Sequence, residues 1–189
     1  MTLSFTPLHP LFAAEVSAVD LRTVFDAATL EHMRGAWDAL DVGMQASLEG
    51  LRVHHSIAYS RETLGFEFAP EEKGQLKGAA HPLVRTVGKG LGNGRHSLYL
   101  ASHASHIIGW QVPEGRMLLR DLTEHATQRQ FVYCHVWRDG DFVIWDNRST
   151  MHRGRPFDDR TYRRELRRTT TLDLPLPRVQ VQGACAQPP

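Results

Sequence analysis

The stretch 141–173 constrains the fold of this chain more than any other part of it. It opens with four apolar residues, 142–145, a run typical of a short strand that is buried on both faces. The chain then breaks into a turn at Asp146 and Asn147, and a single histidine, His152, follows. The sequence therefore predicts a strand and turn that hold this histidine in a defined position.

Two arginines, Arg163 and Arg167, follow His152 at spacings of eleven and fifteen residues. The threonine run 169–171 favours a strand, and a period of two places both arginines and Glu165 on one face. Guanidinium groups offer a planar fork to carboxylates, so this face beside a histidine suits a small carboxylate next to a metal. The alternative is a solvated basic strand with an ordinary loop histidine. Spacing alone favours that alternative, because charge runs usually face water.

Longer motifs around these residues resemble those of a known family. The segment WDNRSTMHRGRPFD, followed by RRELRRTTTLD, resembles the carboxy-terminal signature of the taurine dioxygenase and chlorophenoxyacetate dioxygenase (TauD/TfdA) family, Fe(II) enzymes that use 2-oxoglutarate. The similarity continues upstream through AHPLVRT, SLYLASHASHIIGW and PEGRMLLRDLTEHATQ, covering most of residues 33–173. The resemblance implies a mainly β fold with flanking helices, a double-stranded β-helix or jelly-roll barrel. It also implies oxidation of a small anionic organic acid, of taurine or aryloxyalkanoate type, by oxygen, with decarboxylation of 2-oxoglutarate to succinate.

The same resemblance assigns roles to four residues. His152, the histidine of the HRG element, matches the distal iron ligand of the family. Arg163 matches the arginine that grips the 2-oxoglutarate carboxylate, and Arg167 matches one that lies at the cosubstrate and substrate anions. His103, the first histidine of HASH, lies near the substrate in some members, and an ordinary core or loop histidine is the alternative. A zinc site at HASH is disfavoured, because no cysteine or carboxylate accompanies it at ligand spacing.

One element of the family's iron site has no counterpart in the sequence. Iron in this family is held by two histidines and one carboxylate, and the near pair has the form H-x-D or H-x-E. None of the eleven histidines is followed by Asp or Glu two residues later: His9, His32, His54, His55, His81, His96, His103, His106, His125, His135 and His152. A further departure is Val87, where some members carry a histidine near the substrate.

A missing segment explains this absence. Residues 8–30 resemble the amino-terminal strand and helix of the family, whereas the chain from Met33 onward resembles a helix that follows the metal-binding strands. The sequence predicts one dioxygenase-like domain, 1–173, with an internal deletion near 32–33, and a loosely ordered tail, 174–189. An incomplete barrel has unpaired edges and exposed apolar faces, which predicts homo-oligomerisation. We therefore expect impaired binding of Fe(II) and 2-oxoglutarate. The alternative is a non-catalytic remnant that at most binds carboxylates weakly.

Composition bounds the remaining function classes. The 189 residues are 41% hydrophobic and 23% charged, with a net charge of +1, so one domain is expected and no nucleic-acid partner is indicated. A zinc or nucleic-acid module built on HASH and RRELRR is correspondingly disfavoured. The sequence contains no run of eighteen apolar residues, so membrane insertion is not predicted. Two cysteines without CxxC spacing favour a cytoplasmic location.

The remaining periodicities predict a mixed arrangement. Apolar residues at spacings of three and four predict a helix over 21–40 that continues to Leu48 and stops at Gly50. Residues 51–60 alternate, which predicts a strand with His54 and His55 on opposite faces, both interpreted as structural. We further expect a polar excursion over 61–80, a hairpin of strands 83–86 and 96–102, a helix over 113–127 with Met117, Leu118 and Leu122 inward, and a strand over 131–137.

Overall fold

Three small antiparallel sheets and several helices make up the part of the chain that the computed structural model describes, namely residues 5–8, 10, 14–16, 32–87, 94–138, 141–154, 156, 158, 160, 161, 165 and 167–170. The chain divides into two units, Met1–His152 and Arg153–Pro189. The described elements lie in the first unit: β1 (Phe5–Pro7), β2 (Ala14–Val16), α1 (His32–Asp38), α2 (Val42–Leu48), β3 (Arg52–His55), α3 (Ile57–Glu62), α4 (Pro70–Gln75), β4 (Ala79–Pro82), β5 (Val84–Val87), β6 (Arg95–Leu98), β7 (Ala104–Ile107), α5 (Val112–Ala126) and a 3-10 turn (Arg129–Phe131).

Strand β3 is the centre of the largest sheet, which has the order β4-β3-β7. Val53 lies opposite His81 on one side and opposite Ile107 on the other. Strands β5 and β6 form a separate hairpin, and β1 and β2 form another. Leu83 connects the two larger sheets, because its N–H donates to the Leu51 carbonyl at 2.9 Å and its carbonyl accepts from Tyr99 N at 2.7 Å. The predicted hairpin around the glycine-rich turn is therefore confirmed.

Two helix starts correct the elements expected between residues 33 and 60. The Asp41 side chain accepts a hydrogen bond from Met44 N at 2.9 Å and begins α2, so the expected continuous helix is two helices. Ser56 likewise accepts from Tyr59 N at 3.1 Å and begins α3, so the expected strand ends at His55. Both side chains satisfy amide groups at a new helix start, which favours a break over continuation of the preceding element. Gly50, with a φ of 78°, follows α2 as expected.

The core lies between α1, α5 and the sheets. Helix α5 buries Gly115, Leu119, Leu122 and Ala126, at spacings of four, three and four residues. Met117, expected to face inward, is exposed, because it falls off this stripe. A Cβ added at Gly115 would lie 3.0 Å from Ile107 N, so the helix packs closely on β7. The buried cluster comprises Met33, Ala36, Trp37, Leu48, Val53, Leu83, Leu98, Leu100, Ile107, Leu119, Leu122, Ala126 and Phe131.

The largest correction concerns the strands expected at 131–137 and 142–145. Phe131 ends the 3-10 turn, and the described residues that follow it form no strand. Phe142 and Ile144 are exposed rather than buried. A strand that is apolar on both faces needs neighbouring strands and two packing layers, and the described part of the chain supplies neither here. Exposed apolar surface, expected from an incomplete barrel, is therefore present.

Other expectations have mixed outcomes. The excursion over 61–80 contains α4 and none of its residues is buried, as expected. The described residues of the expected strand around Arg167 have no regular structure. Most of the helix expected before residue 32, the Val87 side chain and the tail 174–189 lie outside the described residues. In the described part of the chain, no closed barrel forms, and no helix is both long and apolar enough to cross a membrane.

Candidate functional site

His152 follows a turn that is organised by Asp146. The Asp146 carbonyl accepts from Ser149 N at 3.1 Å and Thr150 N at 2.9 Å, which closes the predicted turn. The His152 ring packs against Trp145, with ring centroids 4.8 Å apart. Trp145 Nε1 in turn donates to Asn147 Oδ1 at 2.8 Å. The sequence was therefore right about the turn, although the strand expected to precede it is absent from the described residues.

Asp146 is not available as a spare carboxylate ligand. Its Oδ1 accepts from Arg148 Nε at 2.9 Å and its Oδ2 accepts from Arg148 Nη2 at 2.8 Å, a bidentate pair. Burial works to raise the pKa of Asp146, but the hydrogen bonds from the Arg148 side chain and backbone hold that pKa below its usual range. The carboxylate is thus ionised and already committed to an arginine.

An iron ion does not fit the donor set around His152. Fe(II) in this class of site needs two histidines and a carboxylate that converge on one point. No group of three or more His, Cys, Asp or Glu side chains in the described part of the chain could hold a metal ion. The missing H-x-D pair, inferred from the sequence, has no substitute among these residues.

The two arginines belong to the second unit of the chain. Arg163 lies outside the described residues, so its assignment to 2-oxoglutarate stays a prediction. Arg167 is almost fully exposed, and its Nη2 lies 3.9 Å from Glu165 Oε1. An exposed pair at this separation contributes little to stability, typically 0 to about 1 kcal/mol. The role of Arg167 likewise stays a prediction.

His103 lies in a cluster of rings that the sequence did not reveal. We call this group the imidazole cluster; its members are Arg85, His55, His81, His103 and Tyr99. The His55 ring centroid lies 5.2 Å from His81, 5.2 Å from Tyr99 and 5.9 Å from His103. His81 is also 5.4 Å from Tyr99. Strands β3, β4 and β5, the residue after β6 and the residue before β7 thus each supply one member.

The cluster has no acidic member. The Arg85 guanidinium lies 3.4 Å above the Tyr99 ring, and its Nη2 donates to His81 Nδ1 at 3.0 Å. Because Nδ1 of His81 is the acceptor, the ring proton of neutral His81 is on Nε2. Burial first, and then the neighbouring His81, His103 and Arg85, lower the pKa of His55 to about 4. The pKa of His81 is also lowered, chiefly by burial and by Arg85.

His55 is the residue that sequence reasoning missed. It is buried, and its Nε2 atom has no hydrogen-bond partner among the described residues. The alternation in β3 correctly placed His54 and His55 on opposite faces, but it gave no sign that the rings of His81 and Tyr99 would meet one of them. His54 instead bonds through Nδ1 to Ser105 Oγ at 3.1 Å, a structural contact as expected. Neutral imidazoles beside an arginine offer hydrogen bonds and positive potential to an organic anion.

Comparison with known proteins identifies the family. The family model for taurine catabolism dioxygenase TauD, TfdA family matches residues 26–170, which contain His103, His152, Arg163 and Arg167. The chain belongs to this family.

Its relatives include dioxygenases that are named for phenoxy acids. An alpha-ketoglutarate-dependent 2,4-dichlorophenoxyacetate dioxygenase of Cupriavidus pinatubonensis is 51% identical over 142 residues, 75% of this chain and 48% of the relative. An (S)-phenoxypropionate/alpha-ketoglutarate-dioxygenase of Sphingobium herbicidovorans is 34% identical over 156 residues, 78% of this chain and 52% of the relative. The crystal structure of AAD-2 in complex with Mn(II) and N-oxalylglycine is 53% identical with a TM-score of 0.63, covering 67% of this chain and 46% of that one. The chain thus spans about half the length of the curated relatives that it matches.

Proposed function

We propose that this chain carries one half of a 2-oxoglutarate-dependent dioxygenase site, in the remaining part of a jelly-roll barrel. The proposal is supported chiefly by family membership, since the matched region 26–170 includes every residue to which the resemblance gives a role. In it, His152 is the distal iron ligand, Arg163 and Arg167 bind the carboxylate of 2-oxoglutarate, and His103 contacts the substrate. Fe(II), when bound, would supply oxygen activation.

We propose a small aryloxyalkanoate as the substrate class, because both named relatives act on phenoxy acids. The imidazole cluster favours such a ligand. Arg85 and the Nε2–H of His81 suit a carboxylate, and the Tyr99 and His55 rings suit an aromatic body. Its exposure supports a role for His103 in the cluster as the residue that would meet a ligand arriving from solvent. A reducing cytoplasm remains the proposed location.

A second candidate function is weak carboxylate binding without catalysis. The observation that favours it is the lack of any three-residue metal-ligand group in the described part of the chain. One exposed imidazole cannot fix iron with the affinity and geometry that three ligands provide. We therefore propose that the chain by itself turns over slowly or not at all, because of an internal deletion near 32–33.

The decisive experiment compares binding with turnover. We expect calorimetry to detect weak 2-oxoglutarate binding that Arg163→Ala abolishes, because a charge-assisted hydrogen bond contributes roughly 1.5 to 3 kcal/mol. The neighbouring variant Arg168→Ala, on the other face of the expected strand, is the control and should bind like the unaltered chain. Equal affinity of both variants would remove Arg163 from its role.

Turnover is measured on the same preparations as succinate formed from 2-oxoglutarate with Fe(II), ascorbate and phenoxyacetates. We expect little succinate from the chain by itself. Robust turnover by the unaltered chain, lost in His152→Ala, would contradict the proposal that the iron site is incomplete. It would mean that the chain has a full set of iron ligands.

A further inference from the structure

The buried ring of His55 has a nitrogen atom without a hydrogen bond. His55 is 7% exposed, and its Nε2 atom has no partner among the described residues. Buried polar atoms in folded proteins are nearly always hydrogen-bonded, because an unpaired one loses its contacts with water and gains none in return. Such an exception needs an explanation, and a ligand that supplies the missing partner is one.

The side chains that face His55 come from four parts of the fold, and none of those described is acidic. They are His81 of β4, Arg85 of β5, Tyr99 after β6 and His103 before β7. His54, on the opposite face of β3, is a further basic neighbour. Burial and these basic groups all disfavour a charged His55 ring in the protein by itself. A nearby negative charge would reverse that balance.

Arg85 carries a positive charge that no carboxylate balances in the described part of the chain. Its guanidinium lies 3.4 Å above the Tyr99 ring, and its Nη2 donates to His81 Nδ1 at 3.0 Å. A guanidinium has five N–H donors, so several remain for a ligand. His81 adds its Nε2–H, because its Nδ1 is the acceptor of the bond from Arg85. These donors repel a cation and suit an anion.

The donors present match the acceptors of one carboxylate. An ionised carboxylate has two oxygens with about four acceptor positions, and Arg85 together with the His81 Nε2–H can fill about three of them. The charged form of His55 has an N–H on both ring nitrogens, which makes its Nε2 a further donor. His81 is unsuited to take up the proton itself, because a proton on its Nδ1 would break the bond from Arg85.

We propose that His55 takes up a proton when an organic carboxylate binds at the imidazole cluster, and that its Nε2–H then donates to that carboxylate. The proton comes from solvent, and no other bond is made or broken. The negative charge of the ligand is thereby matched by the positive charge that the ring gains. This inference rests on the proposed function, which places the carboxylate of the ligand at the same cluster.

Proton uptake makes binding tighter as the pH falls. Without a ligand, the pKa of His55 is about 4, below its ordinary value of 6.5. If the carboxylate restores a pKa of about 6.5, binding at about pH 5.5 takes up roughly 0.9 of a proton. The affinity at about pH 5.5 is then roughly tenfold higher than at about pH 8, and the gain disappears as the pH rises through the pKa of the bound state.

The test is calorimetric titration of the full chain with phenoxyacetate at about pH 5.5 and about pH 8, where the ligand is ionised throughout. At each pH, two buffers with different ionisation enthalpies are compared, because the difference in heat gives the number of protons taken up. We expect roughly 0.9 of a proton at the lower pH and none at the higher. 2-Phenoxyethanol has a similar aromatic body without the carboxylate, and it should take up none.

Two histidine variants separate titration from packing. His55→Gln keeps a side-chain N–H donor but cannot take up a proton, so its affinity should be the same at both pH values and equal to that of the unaltered chain at about pH 8. His106→Gln is the matched control. His106 also has a lowered pKa, but it pairs with His54 on the other face of the sheet, so this variant should keep the roughly tenfold change.

Proton NMR of the unaltered chain gives a readout that does not require a variant to fold. The His55 ring signals can be assigned from their contacts with the Tyr99 ring, whose centroid lies 5.2 Å away. The His55 ring should titrate with a pKa of about 4 in the free chain. With phenoxyacetate bound, that pKa should rise above about 6, whereas 2-phenoxyethanol should leave it unchanged.

Three results would overturn the inference: no binding of phenoxyacetate, binding without proton uptake, or uptake by a ring other than His55. Binding without uptake would place the carboxylate elsewhere, such as at Arg163 and Arg167, because arginine stays charged at both pH values. That result would leave the proposed function standing. Uptake at His55 without succinate formation would uphold the inference and count only against the proposed activity.

Discussion

Two regions of the first unit read alike in sequence and differ in structure. Strands β3 and β7 are short, each buries one face, and they lie in a three-stranded sheet covered by α5. The segments 131–137 and 142–145 are more apolar than either strand, yet they form no strand in the described part of the chain and expose Trp137, Phe142 and Ile144. The difference shows that apolar residues by themselves do not form a strand. A strand also needs adjacent strands and a packing layer, because backbone groups and apolar faces both need partners.

The largest expected effect is on the free energy of unfolding, when a buried isoleucine and an exposed isoleucine are each shortened to alanine. Ile107→Ala in β7 should lower the free energy of unfolding by about 2 to 5 kcal/mol, because a fully buried side chain leaves a cavity beside α5. Ile144→Ala in the exposed segment 142–145 should change it by less than about 0.5 kcal/mol. Chemical denaturation of both variants checks the comparison, and equal losses would show that this segment is packed in solution.

A smaller effect is the pH dependence of stability that the buried His55 side chain produces. The folded-state pKa of His55, about 4, lies below its ordinary value of 6.5, so between these pH values the unfolded chain binds more protons. The resulting stability is fully present above about pH 6.5 and is lost as pH falls toward 4. A difference of this size corresponds to roughly 3 kcal/mol.

The variant that tests this prediction is His55→Gln, which should flatten the pH dependence between 6.5 and 4. His81 has a lowered pKa of the same sign, so part of the slope should survive in His55→Gln. An unaltered slope in that variant would show that His55 is solvated in the folded chain.

The smallest effect concerns the boundary that ends β3. Ser56→Ala removes the side-chain oxygen that accepts from Tyr59 N, and should cost about 1 kcal/mol. Ser60→Ala, within α3, is the control and should have little effect, since its hydroxyl only donates to the Ile57 carbonyl of the same helix. Denaturant midpoints measure both, and equal losses would mean that Ser56 does not set the end of the strand.

The sequence by itself determined the family, the helix α5, the hairpin β5–β6 and the opposite faces of His54 and His55. These features follow from local periodicity, turn chemistry and motifs that are contiguous in the chain. The same local information placed Phe142 and Ile144 in a buried strand and Met117 inward, and both predictions are wrong in the structure. Residue patterns indicate which surface favours burial, but they do not indicate whether other strands or helices are present to cover it.

Only the tertiary structure decided which side chains meet. Residues from β3, β4, β5 and the loops around β6 and β7, far apart in sequence, bring His55, His81, His103, Tyr99 and Arg85 within ring-contact distances. The burial of His55 and its lowered pKa arise from these contacts, and no periodicity records them. The physical reason is that strand pairing and α5 packing bring together residues far apart in the chain, such as His54 and Ser105, 51 positions apart, and Ala36 and His125, 89 positions apart. Local propensity carries no information about such pairings.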